Sequence, residues 1–341
     1  MTARNRPRCR RLAALCALLT ALTLGAIGLN LTFGPRPLSL GQIGAVMTGN
    51  SAHPDDQLVV LGIRLPRTVL ALMVGSSLAV AGGVMQGVTR NPLASPSIAG
   101  LTSGGTLGML LCVLWLPELG HFGLLLSSLA GSMIAVSLVY AIAANARSGM
   151  TPERLALAGI MVSVLLGSIS GMLVFEYGLA TASLYWQLGG IMSLGWSEIL
   201  VLLPVFAIGM AVALVLSPQI TVLNLGTNVA RGLGQRTGPV ILAAMLSVLL
   251  LAGTAVSIAG PVAFVGLFVP HVVRVIGGHD YRWVLPVSAL AGALFVLVAD
   301  LLTRSLGGGL LEVPLGLFTT LVGLPFFVVL ARSAAQRTNL S

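Results

Sequence analysis

The chain has 341 residues, of which 56% are hydrophobic and only 8% charged, and its mean hydropathy is +1.01. A water-soluble domain clothes its surface with roughly a quarter of its residues charged, so soluble enzymes and soluble binding modules are excluded. The net charge of +9 comes from arginine alone, because the sequence contains no lysine.

In chain order, Arg4, Arg6, Arg8, Arg10 and Arg11 precede an apolar run from Leu12 to Phe33. A basic start before an apolar run resembles a secretory leader, but this run exceeds a typical leader core and shows no small-residue cleavage site, which predicts an uncleaved first span over 12–34. A polar connection, Gly34 to Gly62, follows. A second span over 65–88 opens with Arg64 and Arg67 around Pro66, and Gly75, Ala79, Gly83 and Gly87 put a stripe of small residues along it. Such a stripe serves either as a close helix seam or as a smooth wall for a bulky solute. The segment RNPLASPSIAG (90–100) turns directly into a third span over 94–116. Pro92 and Pro96 stop one helix and start the next, and Asn91 suits a turn that caps backbone groups. Two readings stand there: a structural re-entrant turn, or a gate carrying Asn91 and Leu93.

A fourth span over 122–144 precedes a fifth over 155–175, where Gly159, Ser163, Gly167 and Gly171 repeat the small-residue stripe. After a sixth span, 197–217, the connection from Pro218 to Thr237 breaks into short helical pieces at Gly226, Gly232 and Gly234 and offers a docking surface. Further spans are predicted over 238–258, 262–277, 284–304 and 315–332, making ten in a single domain over 1–341 and placing both termini on one side. Asp300 is the chief ionisable residue within a span, with Arg304 one turn later.

The arginines test this arrangement independently. With the N-terminus inside, all of them fall inside except Arg36, Arg64, Arg67 and Arg304, as the positive-inside rule requires. The high pI then reports membrane orientation, and nucleic-acid binding is not implied. A ten-residue Gly-to-Pro offset recurs at Gly82–Pro92 and Gly260–Pro270 in segments of opposite direction, a faint inverted repeat of the kind transporters use. Midplane carboxylates of an ion-coupled carrier and the polar filter of a channel are missing. His53, His121, His271 and His279 are scattered, and Cys9, Cys16 and Cys112 have no metal-ligand spacing, so no metal site is expected. No phosphate-binding G-x-x-x-x-G-K-[ST] loop, H-E-x-x-H or G-x-S-x-G occurs, which predicts a transport subunit without its own catalysis.

Five long motifs in order resemble the FecCD family of ABC importer permeases: RLPRTVLALMVGSSLAVAGGVMQGVTRNPLASPSIAG from Arg64, LALAGI from Leu155, VSIAGPVAFVGLFVPHVVR from Val256, HDYRWVLPVSALAGALFVLVADLLTR from His279, and EVPLGLFTTLVGLPFF from Glu312. The resemblance implies an all-α, ten-helix inverted-repeat permease of a type II importer in the cell inner membrane. It would work as a homodimer or heterodimer over two separate ATPase subunits that bind the ATP, with an external binding protein delivering substrate. By the same resemblance Arg64, Arg67 and Arg304 look like arginines that receive the binding protein, Asn91, Leu93, Thr151 and Pro152 like a cytoplasmic gate, and Leu225, Gly226, Ala230, Arg231, Gly232, Leu233 and Gly234 like the segment seated in the ATPase. Transport of iron(III)-siderophore or iron(III)-citrate by alternating access is the implied activity, with vitamin B12 or haem as the alternative within the family and an ion-coupled secondary transporter as the alternative outside it.

Overall fold

A computed structural model describes residues 6–34, 36–50, 53–95, 100–144, 152–180, 189–191, 195–306 and 313–338. Among these the secondary structure is helical throughout, with no strand. In chain order the helices are α1 (Arg6–Thr32), α2 (Leu40–Met47), α3 (Pro54–Gln57), α4 (Leu65–Thr89), α5 (Leu101–Trp115), α6 (Gly120–Ala144), α7 (Pro152–Glu176) and α8 (Trp196–Val215). They continue with α9 (Ser217–Asn224), α10 (Thr227–Gly232), α11 (Thr237–Ala259), α12 (Val265–Gly277), α13 (Tyr281–Leu306) and α14 (Leu315–Thr338).

Seven of the described helical segments are long and apolar enough to cross a membrane: Ala13–Thr32, Pro54–Thr89, Phe122–Ala143, Leu157–Glu176, Trp196–Val215, Thr237–Ala259 and Tyr281–Ser305. Three shorter apolar helices, Leu101–Trp115, Val265–Gly277 and Leu315–Phe326, accompany them. Two of these begin later than the sequence predicts. Helix α5 starts at Leu101, behind Gly100 in the left-handed region at φ 76°, and α12 starts at Val265, behind a non-helical stretch in which Gly260 and Phe264 both have positive φ. At 13 residues α12 is about 20 Å long, shorter than a hydrocarbon core of about 30 Å. The connection expected between the first two spans is also largely helical: Ser39 and Gln42 form a reciprocal capping box at the start of α2. The chain from Pro54 then runs through a π-helical stretch, Leu58–Arg64, into α4. Pro66 at the start of α4 has no N–H to donate, and the wider π turn accommodates its ring.

Helix α4 is the centre of the bundle, with 89% of its most apolar window buried. The stripe of small residues on α4 is the reason it can be surrounded so closely. A Cβ on Gly75 would overlap the Gly292 carbonyl of α13, one on Gly82 the Gly266 carbonyl of α12, and one on Gly87 would lie 2.5 Å from Ile220 of α9. The two segments of the faint repeat thus meet in space at Gly82 and Gly266. Buried Gln86 adds a polar tie, donating from Nε2 to the Gly266 carbonyl at 3.2 Å and the Leu267 carbonyl at 3.3 Å. Of the two readings of the α4 stripe, close packing is the one its geometry supports.

Candidate translocation pathway and its two ends

At one end of the bundle, the C-terminus of α1, the N-terminus of α4 and the C-terminus of α13 converge. Arg64 lies there at 4% exposure. Its guanidinium donates to the Leu31 and Thr32 carbonyls at 2.5 and 3.0 Å and to the Arg36 carbonyl. Leu31 and Thr32 close α1, so Arg64 satisfies carbonyls that the helix leaves without intrahelical partners, and its charge faces the negative end of the helix dipole. Arg67 donates from Nε and Nη2 to Asp300 Oδ1 at 3.0 and 2.9 Å, while Arg304 approaches Asp300 Oδ2 at 3.1 Å. Asn30 completes the cluster. Its Oδ1 accepts from Arg304, and its Nδ2 donates to the Ala26 carbonyl at 3.0 Å and the Leu297 carbonyl at 3.3 Å, joining α1 to α13.

The family resemblance implies that these three arginines receive a binding protein; the structure shows them largely buried. Arg64 and Arg67 are buried, and the Arg304 side chain is only 11% exposed. The physical reason is Asp300, 1% exposed in its side chain: a carboxylate buried among apolar helices draws cationic partners in with it. Two guanidinium groups on one carboxylate, with Arg64 beside them, leave this cluster with an excess of positive charge, while Arg36 nearby pairs with Asp55 and Asp56.

At the opposite end, Arg90 closes α4 in the left-handed conformation at φ 55°. Asn91 Oδ1 accepts from the Leu93 N–H at 2.9 Å, and the Asn91 carbonyl accepts from Ala94 N–H at 3.1 Å. Asn91 and Leu93 therefore sit in a tight turn, each half-buried. The other proposed gate element is only partly visible: Thr151 lies outside the described residues, and Pro152 opens α7.

Beside this turn lies the connection from α9 to α10. A Cβ on Gly226 would be 3.7 Å from Arg90 Nη1, so the turn after α4 and the break between the two short helices are neighbours. Leu225, which caps α9, Val229 in α10 and Leu233, which caps α10, are exposed at 66%, 49% and 69% and give this connection a ridge of exposed apolar side chains. Gly226 at φ 130° separates Leu225 from Val229, and Gly234 at φ 81° follows Leu233. Arg231 and Gly232 are exposed, whereas Ala230, included among the coupling residues on sequence grounds, is fully buried and faces the protein's own helices. Val229 belongs to the ridge and was missing from the sequence reading, though its four-residue spacing from Leu225 and Leu233 signals it. Helix α9 seats the ridge on the bundle: Ile220 packs against Gly87 of α4, and Thr221 Oγ1 accepts from the Tyr281 N–H at 2.9 Å, capping the start of α13.

Between the two ends, α5 and α7 border a cavity of about 410 Å³ lined by Thr102, Ser103, Thr106, Gly167, Ser170 and Gly171, among others. Unlike the α4 stripe, Gly167 and Gly171 have nothing within 4 Å of a built Cβ. Val164 and Phe175, on the same side of α7, are exposed at 64% and 89%, whereas Ser170 and Gly159 are buried. No group of three or more His, Cys, Asp or Glu side chains able to hold a metal occurs among the described residues.

A family model described as the FecCD transport family matches residues 20–333. The iron(3+)-hydroxamate import system permease protein FhuB of Bacillus subtilis (strain 168) is 40% identical over 93% of this chain and 82% of its own length. The cobalamin import system permease protein BtuC of Halobacterium salinarum is 41% identical over 83% of this chain and 76% of its own length. Among solved structures, an ABC transporter described as of the metal-chelate type, in an inward-facing conformation, superposes with a TM-score of 0.81 at 30% identity, covering 94% of this chain and 99% of the other.

Proposed function

Because this chain belongs to the FecCD transport family, we propose that it is the membrane permease subunit of an ABC importer that carries an iron(III) chelate, a siderophore complex or iron(III)-citrate, into the cytoplasm. The observation that carries the reading is the exposed Leu225–Val229–Leu233 ridge, coupled through α9 to the central helix α4 and to α13. Large apolar side chains exposed on a membrane protein's aqueous face call for a groove on a soluble partner. That partner is an ATPase subunit, and ATP binds there and nowhere on this chain. Closure of the ATPase pair would push α10, and Ile220 and Thr221 would pass the displacement to α4 and α13.

In this scheme the arginine-rich terminus and the ridge lie in the cytoplasm. The Asn91–Leu93 turn, with Thr151 and Pro152, closes the cytoplasmic mouth. The opposite end, carrying Arg64, Arg67 and Arg304, receives carboxylates of the external binding protein. The open face of α7 pairs with a second permease subunit, identical or related, so that the hydroxyl- and glycine-lined cavity becomes half of the pathway. A wall of small and hydroxylated residues binds no particular chelate tightly, which places selectivity in the binding protein.

The test is ATP-dependent uptake of labelled iron(III)-citrate, a ferric hydroxamate and cobalamin into vesicles holding the permease with its ATPase and binding protein. Uptake of an iron chelate and not of cobalamin is the expected result. Cobalamin uptake alone would overturn the substrate, and uptake of any solute without the ATPase would overturn the importer.

A further inference from the structure

Away from the pathway, α6 and α11 enclose an outward-facing cleft of about 570 Å³, lined almost entirely by apolar side chains that include Tyr140, Leu242, Met245, Leu246 and Leu249. It extends along α11 from Gly238, one residue into the helix, to Leu249. Eleven residues at about 1.5 Å each give a length of about 16 Å, close to half of a hydrocarbon core of about 30 Å. Water would gain no hydrogen bonds from such walls. The cleft has the length and polarity of one leaflet's acyl chain.

The chain that leads into the α11 wall of the cleft carries charge. Arg236, two residues before Gly238, is exposed, and so is Arg231, which donates from Nε to Thr237 Oγ1 at 3.3 Å. Both lie at the end of the bundle that carries the ridge. Basic residues at the rim of an apolar cleft between spans fit an anionic headgroup with its chain lying in the cleft. The geometry points to a binding site for an anionic phospholipid of the ridge-side leaflet, its phosphate at Arg236 and one acyl chain between α6 and α11. Because α11 follows directly on α10, the lipid sits at the root of the coupling ridge. The inference rests on the permease reading in that it places the chain in a bilayer.

The test uses the full chain with its ATPase partner and a Leu242→Trp reporter, at a position that lines the cleft and is 73% exposed. The parent protein's tryptophan signal is subtracted. Brominated phosphatidylglycerol and brominated phosphatidylcholine are compared as quenchers in otherwise identical vesicles. Phosphatidylglycerol should occupy the site about fivefold more strongly, the factor given by about 1 kcal/mol for an arginine near the surface. Arg236→Gln should remove that preference, and Ser137→Phe, which narrows the cleft from α6, should reduce it while leaving the rim charge intact. Equal quenching by the two lipids, or a preference that survives both substitutions, would overturn the site. No quenching by either lipid would also overturn it, showing that protein covers the cleft. Chelate uptake by the unsubstituted permease, measured in parallel, reports failure of the permease reading separately.

Discussion

A single carboxylate shows how a charge survives inside this bundle. Asp300 has its two oxygens divided between Arg67 and Arg304, and the latter is held in turn by Asn30 of α1. Removing one partner of a buried pair leaves uncompensated charge and typically costs about 3 to 5 kcal/mol. Asp300→Ala is therefore expected to destabilise the protein by about that amount, seen as a lower thermal midpoint of the detergent-solubilised protein. Asp300→Asn should cost less, because an amide oxygen still accepts from Arg67; equal midpoints for Asp300→Ala and the parent would show that the cluster contributes nothing to stability. The same geometry limits what charge reversal at Arg67 can report about docking. A glutamate there would face Asp300, and a glutamate at Arg304 would do the same, so a docking defect from either reversal would be mixed with loss of the fold. The sequence marks Asp300 as exceptional and gathers the three arginines at one end. It cannot show that Arg64 turns back onto the carbonyls closing α1, because that contact depends on how a connection of some thirty residues returns to its starting point.

At the scale of helices, two stripes that look alike in sequence behave oppositely. Both place small residues four apart, so spacing alone leaves packing and pathway equally available. What separates them is the neighbour: α4 is enclosed by α11, α12 and α13, whereas Gly167 and Gly171 on α7 border a cavity. Gly75→Ala is expected to lower the thermal midpoint, since its Cβ would overlap the Gly292 carbonyl and two backbones would have to part. Gly167→Ala should leave the midpoint unchanged or raise it, because a glycine-to-alanine change in an open helix position gains roughly 0.5 to 1 kcal/mol. Gly171→Trp, by contrast, should fold and still lose most chelate uptake, and full uptake by that variant would remove α7 from the pathway. The helical architecture was legible because apolar runs of about twenty residues need no tertiary information to be recognised. The late starts of α5 and α12 were not legible, because Gly100 and the Gly260–Phe264 stretch interrupt apolar sequence by backbone conformation and leave hydropathy intact.

For the whole molecule, the question is how a push at one end reaches the other. The structure provides a contiguous solid path: the Leu225–Val229–Leu233 ridge, then Ile220 against Gly87 and Thr221 on Tyr281, then α4 and α13, which run in close contact through Gly75 and Gly292 to the Arg67–Asp300–Arg304 cluster. Packed helices transmit displacement because interiors have little free volume to absorb it. The ridge contributes nothing to this chain's own core, so charging it should leave the fold alone while abolishing the partner's apolar contact. Leu225→Asp combined with Leu233→Asp is accordingly expected to keep the parent thermal midpoint, to reduce co-purification of the ATPase subunit at least tenfold, and to abolish ATP-dependent uptake. Tenfold corresponds to about 1.4 kcal/mol, less than the roughly 1.5 to 3 kcal/mol expected for burying even one leucine at an interface. Retained ATPase binding with lost uptake would instead make the ridge a transmitter that is not itself the anchor. Retained binding and uptake together would place the coupling surface elsewhere on this end of the protein.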